Sequence, residues 1–184
     1  MSEDQGALVG SRTVHDGRVV HLSIDTVRFP DGSLGEMELV RHRGAAAVLP
    51  IFGEPGDADP DVLLLRQYRY AAGGEIYEIP AGIIEEGESW EECARRELEE
   101  EAGLTAATLL PLTTIHTTPG FTNERIRLFA ALGLGEGRAR LDRDEFLRTV
   151  RMGLARALEL ARSGELTDAK SLVALLHYSS FLGG

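Results

Sequence analysis

Residues Gly82–Leu104 read GIIEEGESWEECARRELEEEAGL, and the fold turns on this stretch. Ser89-Trp-Glu-Glu92 fits a capping box, in which the Glu92 amide donates to the Ser89 hydroxyl and the Ser89 amide donates to the Glu92 carboxylate. That places a helix start at Ser89, a helix running to Ala102, and Gly103 as the residue that stops it. On this helix Glu97 and Glu101 are i and i+4 and share one face, with Glu100 beside them. Stacked like charges weaken an isolated helix by roughly a few tenths of a kcal/mol per pair. A sequence that keeps three of them points to a cation that neutralises them. All-oxygen donors suit Mg²⁺ or Mn²⁺, and Mg²⁺ commonly takes few carboxylates, completing its shell with water and substrate phosphates. Nine glutamates against Arg95 and Arg96 would otherwise read as a solvated helix face. The spacing overturns that reading.

Outward from the helix the pattern shortens. Upstream, Ala45–Ile51 is a short apolar run read as a buried strand, 52–61 a loop, and Val62–Leu65 a second buried strand leading into Arg66-Gln-Tyr-Arg-Tyr70. Gly73-Gly74 breaks the chain before a strand at Glu75–Ile79. Downstream, Thr108–Thr114 and Arg125–Leu132 read as strands around the loop His116–Glu124, followed by helical patterns at Leu154–Arg162 and Asp168–Phe181. Nearer the start, Arg18–Arg28 alternates apolar and polar residues, Pro30-Asp-Gly-Ser33 makes a turn, and Glu36–His42 returns as the partner strand. The expectation is an α+β chain. A small N-terminal β-hairpin unit takes residues 1–43, and an α/β/α sandwich with a mixed sheet and C-terminal helices takes 44–184.

Composition bounds the partners. The chain of 184 residues carries a formal charge of −11, which disfavours broad binding to nucleic acid or anionic membrane. A small phosphorylated substrate remains compatible, because bound cations reverse the local field. The single cysteine, Cys93, excludes an internal disulfide and a cysteine-based zinc site. The start MSEDQGALVG has neither the basic nor the apolar segment of a secretory leader, so a cytoplasmic protein is expected.

The pattern Gly82-x5-Glu88-x7-Arg96-Glu97-Leu98-x-Glu100-Glu101-x-Gly103-Leu104 resembles the Nudix box at every defining position. With ordinary residue frequencies a chance match of all nine positions is on the order of one in a hundred thousand. The resemblance implies the Nudix fold and a Mg²⁺-dependent enzyme (Mn²⁺ being the alternative ion) that cleaves the pyrophosphate of a nucleoside diphosphate compound. It implies metal ligands at Glu97, Glu101, Glu100 and the Ala81 carbonyl, with Glu100 also among the catalytic groups. Arg96 matches the arginine that holds the box glutamates and is counted with the catalytic set. Glu88 is left open between a structural role and a further metal ligand.

The similarity extends beyond the box, over roughly residues 14 to 182. Leu65-Arg-Gln-Tyr-Arg69, Glu78-Ile-Pro-Ala-Gly82 and Thr118-Pro-Gly-Phe-Thr-Asn-Glu124 resemble segments of ADP-ribose pyrophosphatases, and Pro119 falls fifteen residues after Leu104 as it does in that group. This implies hydrolysis of ADP-ribose to AMP and ribose 5-phosphate by a homodimer. Arg69 is then a phosphate contact, Glu78 a residue of the nucleotide pocket or a strand-end carboxylate, and Pro119 a substrate-loop residue. Phe29, the one Phe, Tyr or Trp in the first 45 residues, is the candidate base contact. Glu145, in Leu141-Asp-Arg-Asp-Glu145, is the candidate catalytic carboxylate outside the box. A different substrate such as GDP-mannose is the nearest rival, and a non-catalytic nucleotide-binding module stands further off. An NADH-type enzyme is disfavoured, because its tryptophan-containing downstream signature is absent: Trp90, inside the box, is the sole tryptophan.

Overall fold

The computed structural model describes residues 7–53, 57–140 and 146–182. They divide into two compact units, one holding the described residues up to Gly44 together with His116–Arg125, the other Ala45–Ile115 and the chain from Ile126 onward.

The first unit is an antiparallel sheet of β1 (Leu8–Asp16), β2 (His21–Arg28) and β3 (Leu34–Arg41), in that order. The expected hairpin is present as β2 and β3, joined at the Asp31–Ser33 turn, where the Ser33 amide donates to Asp31 Oδ1 at 2.9 Å. It gains a third strand. Every residue of β1 is exposed, so the stretch carries no inside–outside alternation and its sequence reads only as a polar start. The sheet buries one carboxylate, Asp25, against the Ser11 and Ser23 hydroxyls and Arg41. Segment 116–125 joins the unit through β3: the Val40 amide donates to the Phe121 carbonyl at 2.8 Å, and the His42 amide to Asn123 Oδ1 at 2.7 Å.

The second unit is built on β4 (Ala45–Phe52), which lies parallel to β9 (Arg125–Glu136) and antiparallel to β5 (Asp61–Arg69). β8 (Leu104–His116) flanks β9, and β10 (Leu147–Gly153) flanks β5. β6 (Gly74–Glu78) pairs with β5, and β7 (Ala81–Ile83) with β4. β4 reads as unbroken apolar sequence because both its faces are covered. Ala45, Ala47, Leu49 and Ile51 point into one core with Leu154, Leu160, Leu175 and Tyr178 of the C-terminal helices α2 (Leu154–Ser163) and α3 (Ala169–Phe181). Ala46 and Val48 point the other way, onto Cys93, Ala94 and Leu98 of α1 (Trp90–Ala102), with Phe129 beside them. This is the expected α/β/α sandwich. Each large buried side chain contributes about 1.5–3 kcal/mol of apolar burial, so truncating Phe129, with no exposed surface, would cost about 3–5 kcal/mol.

Besides β1, two strands of the second unit escape a reading of the sequence alone. β7 has only three residues and includes Gly82, and β10 is an edge strand with no fully buried residue.

Candidate active site

Helix α1 begins and ends as its sequence dictates. The Glu92 amide donates to Ser89 Oγ at 3.2 Å and the Ser89 amide to Glu92 Oε2 at 2.8 Å. Gly103 closes the helix at φ 65°, where a side chain would be strained, and its amide donates to the Glu99 carbonyl. Glu97 and Glu101 lie on the same buried face of the helix as Cys93, Ala94 and Leu98, and there they meet the strand β7. The Ala81 amide donates to Glu101 Oε2 at 2.8 Å. At Gly82 a Cβ atom would sit 1.6 Å from Glu97 Oε1, so only glycine lets this backbone approach the carboxylate. Both carboxylates are buried, Glu97 at 7% and Glu101 at 4% exposure.

Arg96 organises the remaining acids. Its Nε donates to Glu88 Oε1 at 2.9 Å, and Nη2 to Glu88 Oε2 at 3.0 Å and to the Ile83 carbonyl at 3.1 Å. Its Nη1 donates to Glu97 Oε1 at 2.6 Å and Glu100 Oε2 at 3.2 Å. A guanidinium has five N–H donors, and these contacts use all of them. Arg96 therefore has no donor left for a substrate and binds three carboxylates at once. Glu88 is the anchor of that grip, and the Arg96 pair holds its carboxyl below the usual range against a smaller opposing effect of burial. Cys93 donates to the Gly82 carbonyl at 3.4 Å, and burial pushes its thiol up to about 12, which leaves it protonated and unreactive.

A second cluster forms where β5, β6 and α3 meet. Arg69 grips Glu78 with two parallel bonds, Nε to Oε1 at 2.7 Å and Nη2 to Oε2 at 2.9 Å. Lys170 Nζ donates to Glu78 Oε2 at 2.6 Å and to Asp168 Oδ1 at 3.0 Å. Burial pushes the Glu78 carboxyl upward, but Arg69 and Lys170 outweigh it and the net direction is down. Arg69 is stabilised as a cation first by Glu78, with Glu101 of α1 and Asp168 adding to the effect, so this cluster and the box helix feel one another electrostatically.

The sequence-derived candidates thus separate into groups. Glu88, Arg96, Glu97, Glu100, Glu101 and Ala81 come together around α1, and Arg69 and Glu78 pair with each other. Phe29, packed over Gly35, and Pro119 belong to the first unit. Glu145 lies outside the described residues. Lys170 and Asp168 were not anticipated. The available signal was a lysine in the first turn of a helix, where the helix dipole opposes a cation unless a carboxylate is near.

The donor set fits a hard divalent cation. No three His, Cys, Asp or Glu side chains among the described residues converge into a ready cage. Mg²⁺ does not require one, since it binds through one or two carboxylates and retains waters. Glu97 and Glu101 supply two buried oxygen donors against one stretch of backbone, and Glu88, Glu97 and Glu100 share the one guanidinium of Arg96. Among the described residues no helix is long and apolar enough to cross a membrane.

Comparison with known proteins places this geometry. The family model for the NUDIX domain matches residues 41–174. An ADP-ribose pyrophosphatase of Bacillus subtilis (strain 168) is 37% identical over 169 residues, covering 91% of this chain and 89% of that protein. The ADP-ribose pyrophosphatase of Mycobacterium tuberculosis (strain ATCC 25618 / H37Rv) is 34% identical over 181 residues, 96% of this chain and 84% of that one. The crystal structure of an ADP compounds hydrolase superposes with a TM-score of 0.80 at 25% identity, covering 99% of this chain and 96% of that chain.

Proposed function

The chain belongs to the Nudix family of hydrolases, and on that premise we propose that it hydrolyses ADP-ribose to AMP and ribose 5-phosphate with Mg²⁺. The observation that carries the reading is the pair of buried carboxylates, Glu97 and Glu101, held against the Ala81–Gly82 backbone beside an arginine that grips a buried glutamate. In the reaction a water oxygen bonds to one phosphorus, the bridging P–O bond breaks, and the water gives up a proton.

Glu97, Glu101, Glu100 and the Ala81 carbonyl are the residues that would hold the cation. When bound, Mg²⁺ supplies charge neutralisation of the diphosphate and polarisation of the attacked phosphorus. Arg96 and Glu88 keep these carboxylates in place. Arg69 meets a phosphate: Glu78 takes its Nε and Nη2, which directs the guanidinium as one fixed plane, and its side chain is 45% exposed. Glu145 is assigned the role of accepting the water's proton, a contribution typically worth ~10²–10⁴-fold. Phe29 and Pro119 are assigned to the substrate by family resemblance.

A homodimer is part of this reading. The first unit exposes Leu8, Val9, Val14, Leu34 and Met37 on the strands of a three-stranded sheet, and a second copy would cover part of that apolar area. Light scattering at micromolar concentration should return twice the chain mass, and a monomer there contradicts it.

The substrate assignment is tested by kcat/KM with Mg²⁺ across ADP-ribose, GDP-mannose, NADH, diadenosine polyphosphates and nucleoside triphosphates. ADP-ribose should rank first. GDP-mannose turned over at least as efficiently would transfer the assignment to that substrate and leave the family unchanged.

A further inference from the structure

We infer that Lys170 is a positioning residue for the diphosphate site, acting through Glu78 to fix the plane in which Arg69 presents its guanidinium. The inference rests on the reading of Arg69 as a phosphate contact given above.

The cluster is graded from inside to outside. The Glu78 side chain is 3% exposed, that of Lys170 11%, and that of Arg69 45%. Two parallel bonds fix the plane of Arg69 relative to Glu78, but they do not fix Glu78 itself. Lys170 does that, by donating to Glu78 Oε2 from the side of α3. Its own place is set by backbone. The α3 N-cap Asp168 accepts from the Ser171 amide at 3.0 Å and from Lys170, while Ser171 Oγ accepts the Ile79 amide at 2.8 Å, which ties the start of α3 to the end of β6.

A purely structural account fits poorly. Lysine in the first turn of α3 opposes the helix dipole, and burying its ammonium costs desolvation that an apolar residue of similar volume avoids. Packing alone gives no reason for a charge here. Pairing with Asp168 balances the ammonium, but that pairing alone does not require its bond to Glu78, which Arg69 already neutralises. The arrangement makes sense where the direction of the arginine matters, because a displacement of about 1 Å in a binding group is enough to lose about a hundredfold in rate.

The test is steady-state kinetics on ADP-ribose at saturating Mg²⁺ for Arg69→Gln, Lys170→Met and the double variant, each checked for folding by circular dichroism. Lys170→Met should raise KM about tenfold with kcat within about twofold, the signature of lost binding to substrate. In the Arg69→Gln background the same change should add less than about twofold, because Lys170 has nothing left to position. Lys170→Arg, which keeps the charge, should recover most of the KM. Lys170→Gln is the second variant that removes the charge, read in the same way if Lys170→Met does not fold. An unchanged KM in the charge-removing variant, or a full tenfold effect on top of Arg69→Gln, overturns the inference while leaving Arg69 as a phosphate contact. An unchanged KM in Arg69→Gln itself removes that contact, and the inference falls with it.

Discussion

Arg96 serves three carboxylates, whereas Arg69 shares one carboxylate with a lysine. Around α1, the carboxylates of Glu88, Glu97 and Glu100 share one guanidinium, that of Arg96, whose five donors are all engaged. Where β5 meets α3, Arg69 and Lys170 face Glu78 and Asp168, and the charges balance with an arginine turned outward. In the proposed reading the first cluster holds the cation, and the outward-turned guanidinium of the second meets a phosphate. Both clusters lie in the same unit, as the proposed metal–diphosphate substrate requires. The comparison also sets two arginines apart: Arg96 has every donor engaged by neighbouring groups, whereas Arg69 grips one carboxylate and keeps a side chain that is 45% exposed.

The comparison breaks most visibly at Gly82. A Cβ there would collide with Glu97 Oε1, so Gly82→Ala should displace a carboxylate of the acidic cluster and lower kcat by at least about 100-fold. Glu97 is paired with Arg96, so the displacement should also loosen the guanidinium. A kcat within about threefold of wild type would show that the close approach has no catalytic consequence.

Glu78→Gln probes the balanced cluster. Removing the shared carboxylate leaves Arg69 and Lys170 facing each other and should cost about 2 kcal/mol at neutral pH, below the usual buried-pair loss because Arg69 is half exposed. The sign with pH follows from the direction of the shift. Glu78 is held below its ordinary value of 4.5, so its stabilisation is present above that value and is lost as pH falls beneath it. The gap in Tm between wild type and Glu78→Gln should therefore narrow as the pH is taken below about 4.5. A gap that stays constant into acid would mean that the carboxyl is not held ionised by its partners.

Arg96→Lys is the mildest of the three. It keeps the charge but replaces a five-donor fork by a point charge that cannot span Glu88, Glu97 and Glu100. About 1 kcal/mol of stability should be lost, with a larger Mg²⁺ requirement because the carboxylates are less well placed. Wild-type melting and metal dependence would make the fork dispensable.

Much of this was legible in the chain. Ser89, Glu92 and Gly103 fixed both ends of α1, and the i, i+4 relation of Glu97 and Glu101 put them on one edge, because helix geometry is local. β4 was readable from its unbroken apolar run. The third strand β1 was not, since all its residues are exposed and leave no alternation to read. Nor was β10, an edge strand carrying Arg148 and Arg151 toward acids distant in sequence. The Arg69–Glu78–Lys170 cluster joins residues nine and ninety-two positions apart, and no local pattern encodes a contact of that kind. Only the lysine misplaced against its helix dipole marked it.

The division of labour between the two clusters is tested most directly by measuring the Mg²⁺ dependence of ADP-ribose hydrolysis in Glu101→Gln and Arg69→Gln side by side. Glu101→Gln should raise the Mg²⁺ concentration for half-maximal rate at least about tenfold, as loss of a metal ligand does. Arg69→Gln should leave that concentration unchanged and raise KM for ADP-ribose instead. A wild-type Mg²⁺ requirement in Glu101→Gln, or a shifted one in Arg69→Gln, would contradict the account.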